Sequence, residues 1–268
     1  MDKLNTMKIQ GSMTPHPEGC PQINILGVNV DVIDQPQLLA QIDRLAVAQR
    51  PALVNNVNVH ACNLAYTDPE FREILNRSDV VFCDGFGVKL GARMMGKTLG
   101  PRMTPPDWID ELFKLCVRRR YCIYFIGDTD HVVRRFAQQV KEEHPGLRVV
   151  GWYDGFFEVD GDANIRILAE IQRLGPDIIL TGMGMPLQEK WAWQAKARLG
   201  KGVIIATGAL FRWYTGVEKR APRWVTQSGF EWLARLVAAP RKHFKRYVVG
   251  LPLFFFRIIR QRMRGVSS

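Results

Sequence analysis

Cysteine is scarce and scattered in this chain. Its 268 residues carry five, Cys20, Cys62, Cys83, Cys116 and Cys122, and none form a CxxC pair. That spacing argues against a disulfide framework or a zinc finger and fits a reducing compartment. No run of 18 apolar residues exists, so no helix is expected to span a bilayer. The first 22 residues are polar and lack the apolar core of a signal peptide; they read as a mobile leader. The five histidines (His16, His60, His131, His144 and His243) do not pair at metal-ligand spacing. No richer cluster of Asp, Glu, His or Cys does so either, and no metal is expected. GxGxxG, a Walker loop and GxSxG are all missing, which disfavours a standard dinucleotide site, a P-loop NTPase and an α/β-hydrolase. Acid is missing from one region altogether. From Arg235 to the end there are nine Lys or Arg and no Asp or Glu.

What is present is globular. Apolar residues make up 47% and charged residues 24%, which excludes wholesale disorder. The length predicts one or two domains with a large core. The net charge of +11 points to a polyanionic partner: nucleic acid, an anionic membrane or a phosphorylated substrate. Nine of those eleven charges belong to the tail from Arg235.

Short apolar runs recur at 52–54, 80–82, 122–126, 147–150, 177–180 and 203–206. Helical spacing appears over 36–49, 59–65, 70–76, 106–119, 131–143, 163–174 and 186–199. Residues 23–33 read as a strand or hairpin. Alternating β and α with buried-type strands predicts an α/β fold: a largely parallel, Rossmann-like sheet with helices on both faces. We divide the chain into a leader (1–22), an α/β catalytic domain (23–216) and a basic, helical C-terminal appendage (217–268).

Ligands of open α/β sheets bind beyond the carboxyl ends of the strands. Those ends carry Asn56 and Asn58, Asp84-Gly85, Gly127-Asp128, Gly182-Met-Gly184 and Thr207-Gly208. Asp84 either caps a helix starting near Phe86 or stands as a carboxylate able to take a proton from an attacking hydroxyl. Asn56 and Asn58 either bind sugar hydroxyls or close a turn. Gly182-Met-Gly184-Met-Pro186-Leu-Gln188-Glu189 reads as a strand-to-helix turn with Pro186 at the first helical position, where Gln188 either serves the helix start or reaches a phosphate. Asp128-Thr-Asp130 and Asp160-Gly-Asp162 read as a helix cap at Asp130 and a turn, or, at Asp128, as a metal ligand. The tail places Val248–Phe256 before Arg257, Arg260, Arg262 and Arg264. An apolar run beside clustered Arg has the composition of an interfacial segment on anionic lipid; a helix docked on the core with solvated charges is the plainer alternative.

Taken in order, these segments resemble the WecG/TagA/CpsF glycosyltransferases over roughly residues 23–247. The resemblance rests on Asn56-Val-Asn58-Val-His60, Ser78-Asp-Val-Val-Phe-Cys-Asp84-Gly85-Phe-Gly87 and Arg102-Met-Thr104-Pro-Pro-Asp107. It continues through Gly182-Met-Gly184-Met-Pro186-Leu-Gln188-Glu189, Arg220-Ala-Pro222-Arg-Trp224 and Glu231-Trp232-Leu-Ala-Arg235.

The resemblance implies an inverting, metal-independent hexosyltransferase with no cofactor. It would move a sugar from a UDP-sugar to a polyprenyl-diphosphate-linked saccharide, for cell-surface polysaccharide. It implies Asp84 as general base beside Asn56, and Gln188 near the donor diphosphate. Asn58, Arg102, Thr104, Asp107, Gly182, Gly184 and Arg212 join the substrate site, and Arg235, Arg241 and Arg246 reach it from the appendage. The expected setting is peripheral, on the cytoplasmic face of the plasma membrane, with an anionic membrane surface as partner, no nucleic acid, and a homo-oligomer left open. Two positions depart from the common pattern: Asn56, and Arg212 after Gly208-Ala-Leu-Phe211. Both look like the xanthan-type glucosyltransferases, which favours glucose over N-acetylmannosamine or N-acetylmannosaminuronate. A non-catalytic nucleotide- or phosphate-binding module on the same sheet is the competing reading, and a nucleic-acid-binding protein the third.

Overall fold

A computed structural model describes residues 20–229 and 231–266. Most of the expected leader therefore lies outside the described residues, and Gln22 already opens a strand. Strands β1 (Gln22–Ile25) and β2 (Val28–Asp31) form an antiparallel hairpin. The main sheet contains β3 (Pro51–Val57), β4 (Val80–Cys83), β5 (Cys122–Gly127), β6 (Arg148–Tyr153), β7 (Ile178–Gly182) and β8 (Gly202–Ala206). Their order is β4-β3-β8-β7-β5-β6, and every neighbouring pair is parallel. The predicted α/β class and parallel sheet are thus present.

Period-two alternation sorts the strand side chains between two cores. Ala52, Val54, Phe125, Leu180 and Ile205 face one core with Trp108, Phe113 and Phe136. Leu53, Tyr124, Ile126, Ile179 and Ile204 face the other with Ile167 and Trp191. Strands covered on both faces read as continuous apolar runs, which is why they were legible. The outermost strand β6 is only half-buried along its length and runs to Tyr153, beyond the expected end at Val150.

Two helix starts differ from expectation. Thr129, not Asp130, is the N-cap of helix Asp130–Glu143, and Asp130 instead pairs with Arg134 at 2.9 Å. Pro186 is the N-cap rather than the first residue of helix Leu187–Lys196, and it follows a cis peptide bond from Met185.

The appendage is helical up to Val266, the last described residue. Helix Gly250–Val266 packs on helices Val59–Thr67 and Phe86–Met94. Phe254 and Ile258 are fully buried in a third core with Ile25, Val57, Phe71 and Val88. Gly91 makes room for them, since a Cβ there would stand 2.9 Å from the Phe254 ring. This corrects the view of Phe254–Phe256 as one interfacial cluster. Phe254 belongs to the core, whereas Phe256 is 64% exposed. Among the described residues no helix is long and apolar enough to cross a membrane.

Candidate active site

A cavity of about 390 Å³ opens at the carboxyl ends of β4, β3, β8 and β7. Asn56 and Asn58 reach it from β3, Asp84 and Gly85 from β4, Gly184 from the loop after β7, and Thr207 and Gly208 from β8. The appendage closes the other side with Glu231, Trp232, Arg235 and Arg246.

Asp84 lies just past β4, where its backbone N–H donates to the Val57 carbonyl at 2.8 Å. It does not cap the next helix. Gly85 is that N-cap and makes no side-chain bond. The carboxylate is therefore left for the cavity, with one side-chain hydrogen bond, to Thr104. Burial raises its pKa above the ordinary carboxylate value. The Thr104 hydrogen bond and the charges of Arg235 and Arg102 oppose the rise, while Glu231 adds to it. A carboxylate made more basic by burial suits proton abstraction.

Arg102 ties this floor to the appendage. Its Nη1 donates to Thr104 Oγ1 at 2.9 Å and to Glu231 Oε2 at 3.0 Å, and its Nη2 to Asp107 Oδ2 at 3.0 Å. Glu231 also takes Arg235 at 2.9 Å, and Arg235 stacks 4.2 Å over Trp213. Asp107 takes Arg220 at 2.7 Å and does not line the cavity; it buttresses Arg102, which does.

Both asparagines reach the cavity with part of their amide committed. Asn56 Nδ2 donates to the Ala206 carbonyl at 2.8 Å, binding the end of β3 to β8. Asn58 caps helix Val59–Thr67 by accepting from His60 N and Ala61 N at 3.0 and 3.1 Å. Arg212 lines the cavity, with Asp128 at 3.4 Å and Glu218 at 3.7 Å. Asp128 is thereby paired, and among the described residues no group of three or more His, Cys, Asp or Glu could hold a metal.

Besides Asp107, three expected residues stand apart from the cavity. Gln188 is fully buried; its Oε1 accepts from Gly208 N at 3.2 Å and its Nε2 donates to Glu189 Oε1 at 2.7 Å. In this arrangement it meets a ligand only through the Gly208 loop. A Cβ on Gly182 would lie 2.9 Å from the Gly208 carbonyl oxygen, so this glycine serves strand packing, whereas Gly184, at φ 81°, faces open space. Arg241 is exposed and does not line the cavity. Arg246 does line it, and its buried Nε has no hydrogen-bond partner among the described residues.

Sequence reasoning missed His60, Trp213 and Glu231. His60 lines the cavity, and burial, with the Arg246 charge second, holds its pKa down to about 4, so the ring is neutral at physiological pH. The Glu231/Arg235 spacing of four residues on one helix was a signal that could have found that pair.

A half-buried carboxylate facing a set of arginines suits transfer to a hydroxyl with an anionic leaving group. Comparison with known proteins agrees. The profile of the Glycosyl transferase WecG/TagA/CpsF family matches residues 23–268. A Bacillus subtilis N-acetylglucosaminyldiphosphoundecaprenol N-acetyl-beta-D-mannosaminyltransferase is 26% identical over 210 residues, 78% of this chain and 80% of its own. Enzymes of the same name from Bacillus spizizenii and Staphylococcus aureus are 24% and 22% identical. The first of these alignments spans 73% of this chain and 74% of the relative, the second 91% and 94%. With its profile matched from the first strand to the last residue, the chain belongs to the WecG/TagA/CpsF glycosyltransferase family.

Proposed function

We propose that the protein is an inverting glycosyltransferase that moves a hexose-type sugar from a UDP-sugar to a polyprenyl-diphosphate-linked saccharide. The observation that carries this reading is Asp84: a carboxylate at a strand end, free of helix capping, made more basic by burial, and opposed by arginines of the appendage. Asp84 takes the proton of the acceptor hydroxyl as its oxygen attacks the anomeric carbon. The bond from that carbon to the UDP oxygen breaks on the opposite face, and the sugar configuration inverts. Charge develops on the departing diphosphate. Arg246, with its unpartnered Nε, and Arg235 stand ready to meet it. Family kinship and Asp128's pairing with Arg212 support chemistry that needs no divalent metal.

The names of the relatives favour N-acetylmannosamine as the donated sugar. Glucose finds no support there. The two residues that favoured it, Asn56 and Arg212, bond within the protein to Ala206 and to Asp128 and Glu218.

The enzyme would work at the cytoplasmic face of an anionic membrane, because its acceptor is a lipid. Leu253, Phe256, Ile259 and Met263 are exposed at helical spacing on the tail helix, among Arg260, Arg262 and Arg264. The test is a screen of UDP-sugars against a short-chain polyprenyl-diphosphate N-acetylglucosamine, read by the mass of the lipid product. A product heavier by one sugar residue, with UDP released, is expected. UDP binding with no product for any donor would favour a binding module instead.

A further inference from the structure

The same tail helix borders a second cavity, of about 480 Å³, away from the catalytic one. Four arginines line it: Arg72 from helix Pro69–Asn76, and Arg257, Arg260 and Arg264 from the tail helix. Among the described residues no carboxylate lines this cavity, and none of the four arginines forms an ion pair. Elsewhere the protein pairs its arginines readily, as at Arg102, Arg119 and Arg220. Four guanidiniums gathered without an internal counter-charge repel one another, and an entering anion relieves that repulsion.

The site is also built. Arg257 Nη1 donates to Asn63 Oδ1 at 2.9 Å, and its guanidinium stacks 4.1 Å from the centre of the Tyr66 ring. Arg72 Nη1 donates to the Ala65 carbonyl at 3.2 Å. Gln261 fastens the helix to the β1–β2 turn, accepting from Leu26 N at 2.9 Å and donating to the Asn24 carbonyl at 3.2 Å. Two of the four cations are thus held in place before any ligand arrives. Guanidinium forks match phosphate oxygens in shape and charge.

Position selects the source of the phosphate. The tail helix runs from Leu251, in the wall of the catalytic cavity, to Arg260, in the wall of the second. Nine residues of α-helix cover about 14 Å. Between and beside them Leu253, Phe256, Ile259 and Met263 are exposed. An apolar stripe beside a cationic cavity matches a phospholipid, with acyl chains below and headgroup above.

We propose that the four-arginine cavity binds the headgroup phosphate of an anionic phospholipid and so fixes the angle at which the catalytic cavity meets the bilayer. The proposal rests on the reading that the enzyme works at a membrane. It differs from general attraction of the basic tail because it requires Arg72, which is not in the tail.

The experiment is co-sedimentation of the full chain with phosphatidylcholine vesicles, with and without phosphatidylglycerol. The variants are Arg72→Gln, Arg260→Gln and, as a matched loss of charge outside the cavity, Arg262→Gln. Arg262 bonds the Met94 carbonyl at 2.7 Å and does not line the cavity. R72Q and R260Q should each weaken partition to phosphatidylglycerol vesicles about tenfold, and R262Q clearly less. Arg72→Lys should recover part of the loss. Thermal melting of each variant shows that it is folded, and turnover on a water-soluble acceptor should stay at the wild-type level. Equal losses in all three Gln variants overturn the site in favour of diffuse attraction. Inorganic pyrophosphate supplies the soluble arm: if R72Q abolishes its binding but leaves vesicle partition unchanged, the ligand is a free phosphate and the lipid assignment falls. A wild-type protein that ignores phosphatidylglycerol vesicles removes the membrane reading itself, and this proposal with it.

Discussion

Arg102 donates to the Thr104 hydroxyl at 2.9 Å, and Thr104 in turn hydrogen-bonds Asp84. The threonine oxygen already accepts from a cation, so its own hydrogen is free for the carboxylate. That bond favours the ionised form of Asp84 while burial opposes it.

Thr104→Val should therefore raise the Asp84 pKa further. A general base works only when deprotonated, so the acid limb of the kcat/KM profile should move to higher pH. Rate profiles of the two proteins on the same acceptor check this. An unmoved limb in an active T104V variant separates Thr104 from the base.

Glu189 makes a stability prediction of the opposite kind. It is fully buried, its Oε2 has no partner among the described residues, and burial pushes its pKa from 4.5 up to about 7. A raised carboxylate pKa means that the folded state holds a proton which the unfolded state has released. That contribution is complete below pH 4.5 and is lost as pH rises through about 7. Between those limits it falls by about 1.4 kcal/mol per pH unit. Glu189→Gln should flatten this part of the stability curve, as denaturant titrations across the window would show. Parallel curves for the two proteins would place the Glu189 titration elsewhere.

Adjacent phenylalanines in the tail helix should behave differently. Phe254→Ala empties a site that is fully buried and should cost about 3–5 kcal/mol. Phe256→Ser alters a side chain 64% exposed and should change stability by no more than about 0.5 kcal/mol, while weakening vesicle binding. Thermal melts and co-sedimentation on both variants check the pair. A large loss of stability in F256S would mean that this face is covered.

Chelation should leave the rate unchanged. Asp128, the strand-end carboxylate best placed for a metal, is already opposite Arg212 at 3.4 Å. Activity lost in EDTA and restored by Mg²⁺ would contradict the metal-independent mechanism.

The contrast between Phe254 and Phe256 also marks where the sequence stops being legible. The central strands announced themselves, because β3, β5, β7 and β8 are buried on both faces and are apolar over most of their length, with Asn55, Asn56 and Thr181 only toward the carboxyl ends. The edge strand β6 was read short, because half-buried positions accept Gly151-Trp152-Tyr153 as readily as apolar residues. In the tail, composition shows three phenylalanines alike. Only the helical phase and the gap over Gly91 decide that Phe254 goes inward. At the site, Asp84 was legible from its place at a strand end. The wall made by Glu231 and Trp213 beside the expected Arg235 and Arg246 was not, because it comes from segments brought together by the docking of the appendage. Gln188 shows the converse. Its motif pointed to a ligand, yet its amide is spent on Gly208 and Glu189.

The most direct test is single-turnover kinetics of Asp84→Asn beside the wild type, with the mass of the lipid product as readout. Asparagine keeps the shape and the hydrogen-bonding reach but cannot take the proton. The account predicts that kcat falls by about 10²-fold or more while UDP affinity is little changed. Near-normal turnover by D84N would contradict it, since some other group would then be accepting the hydroxyl proton.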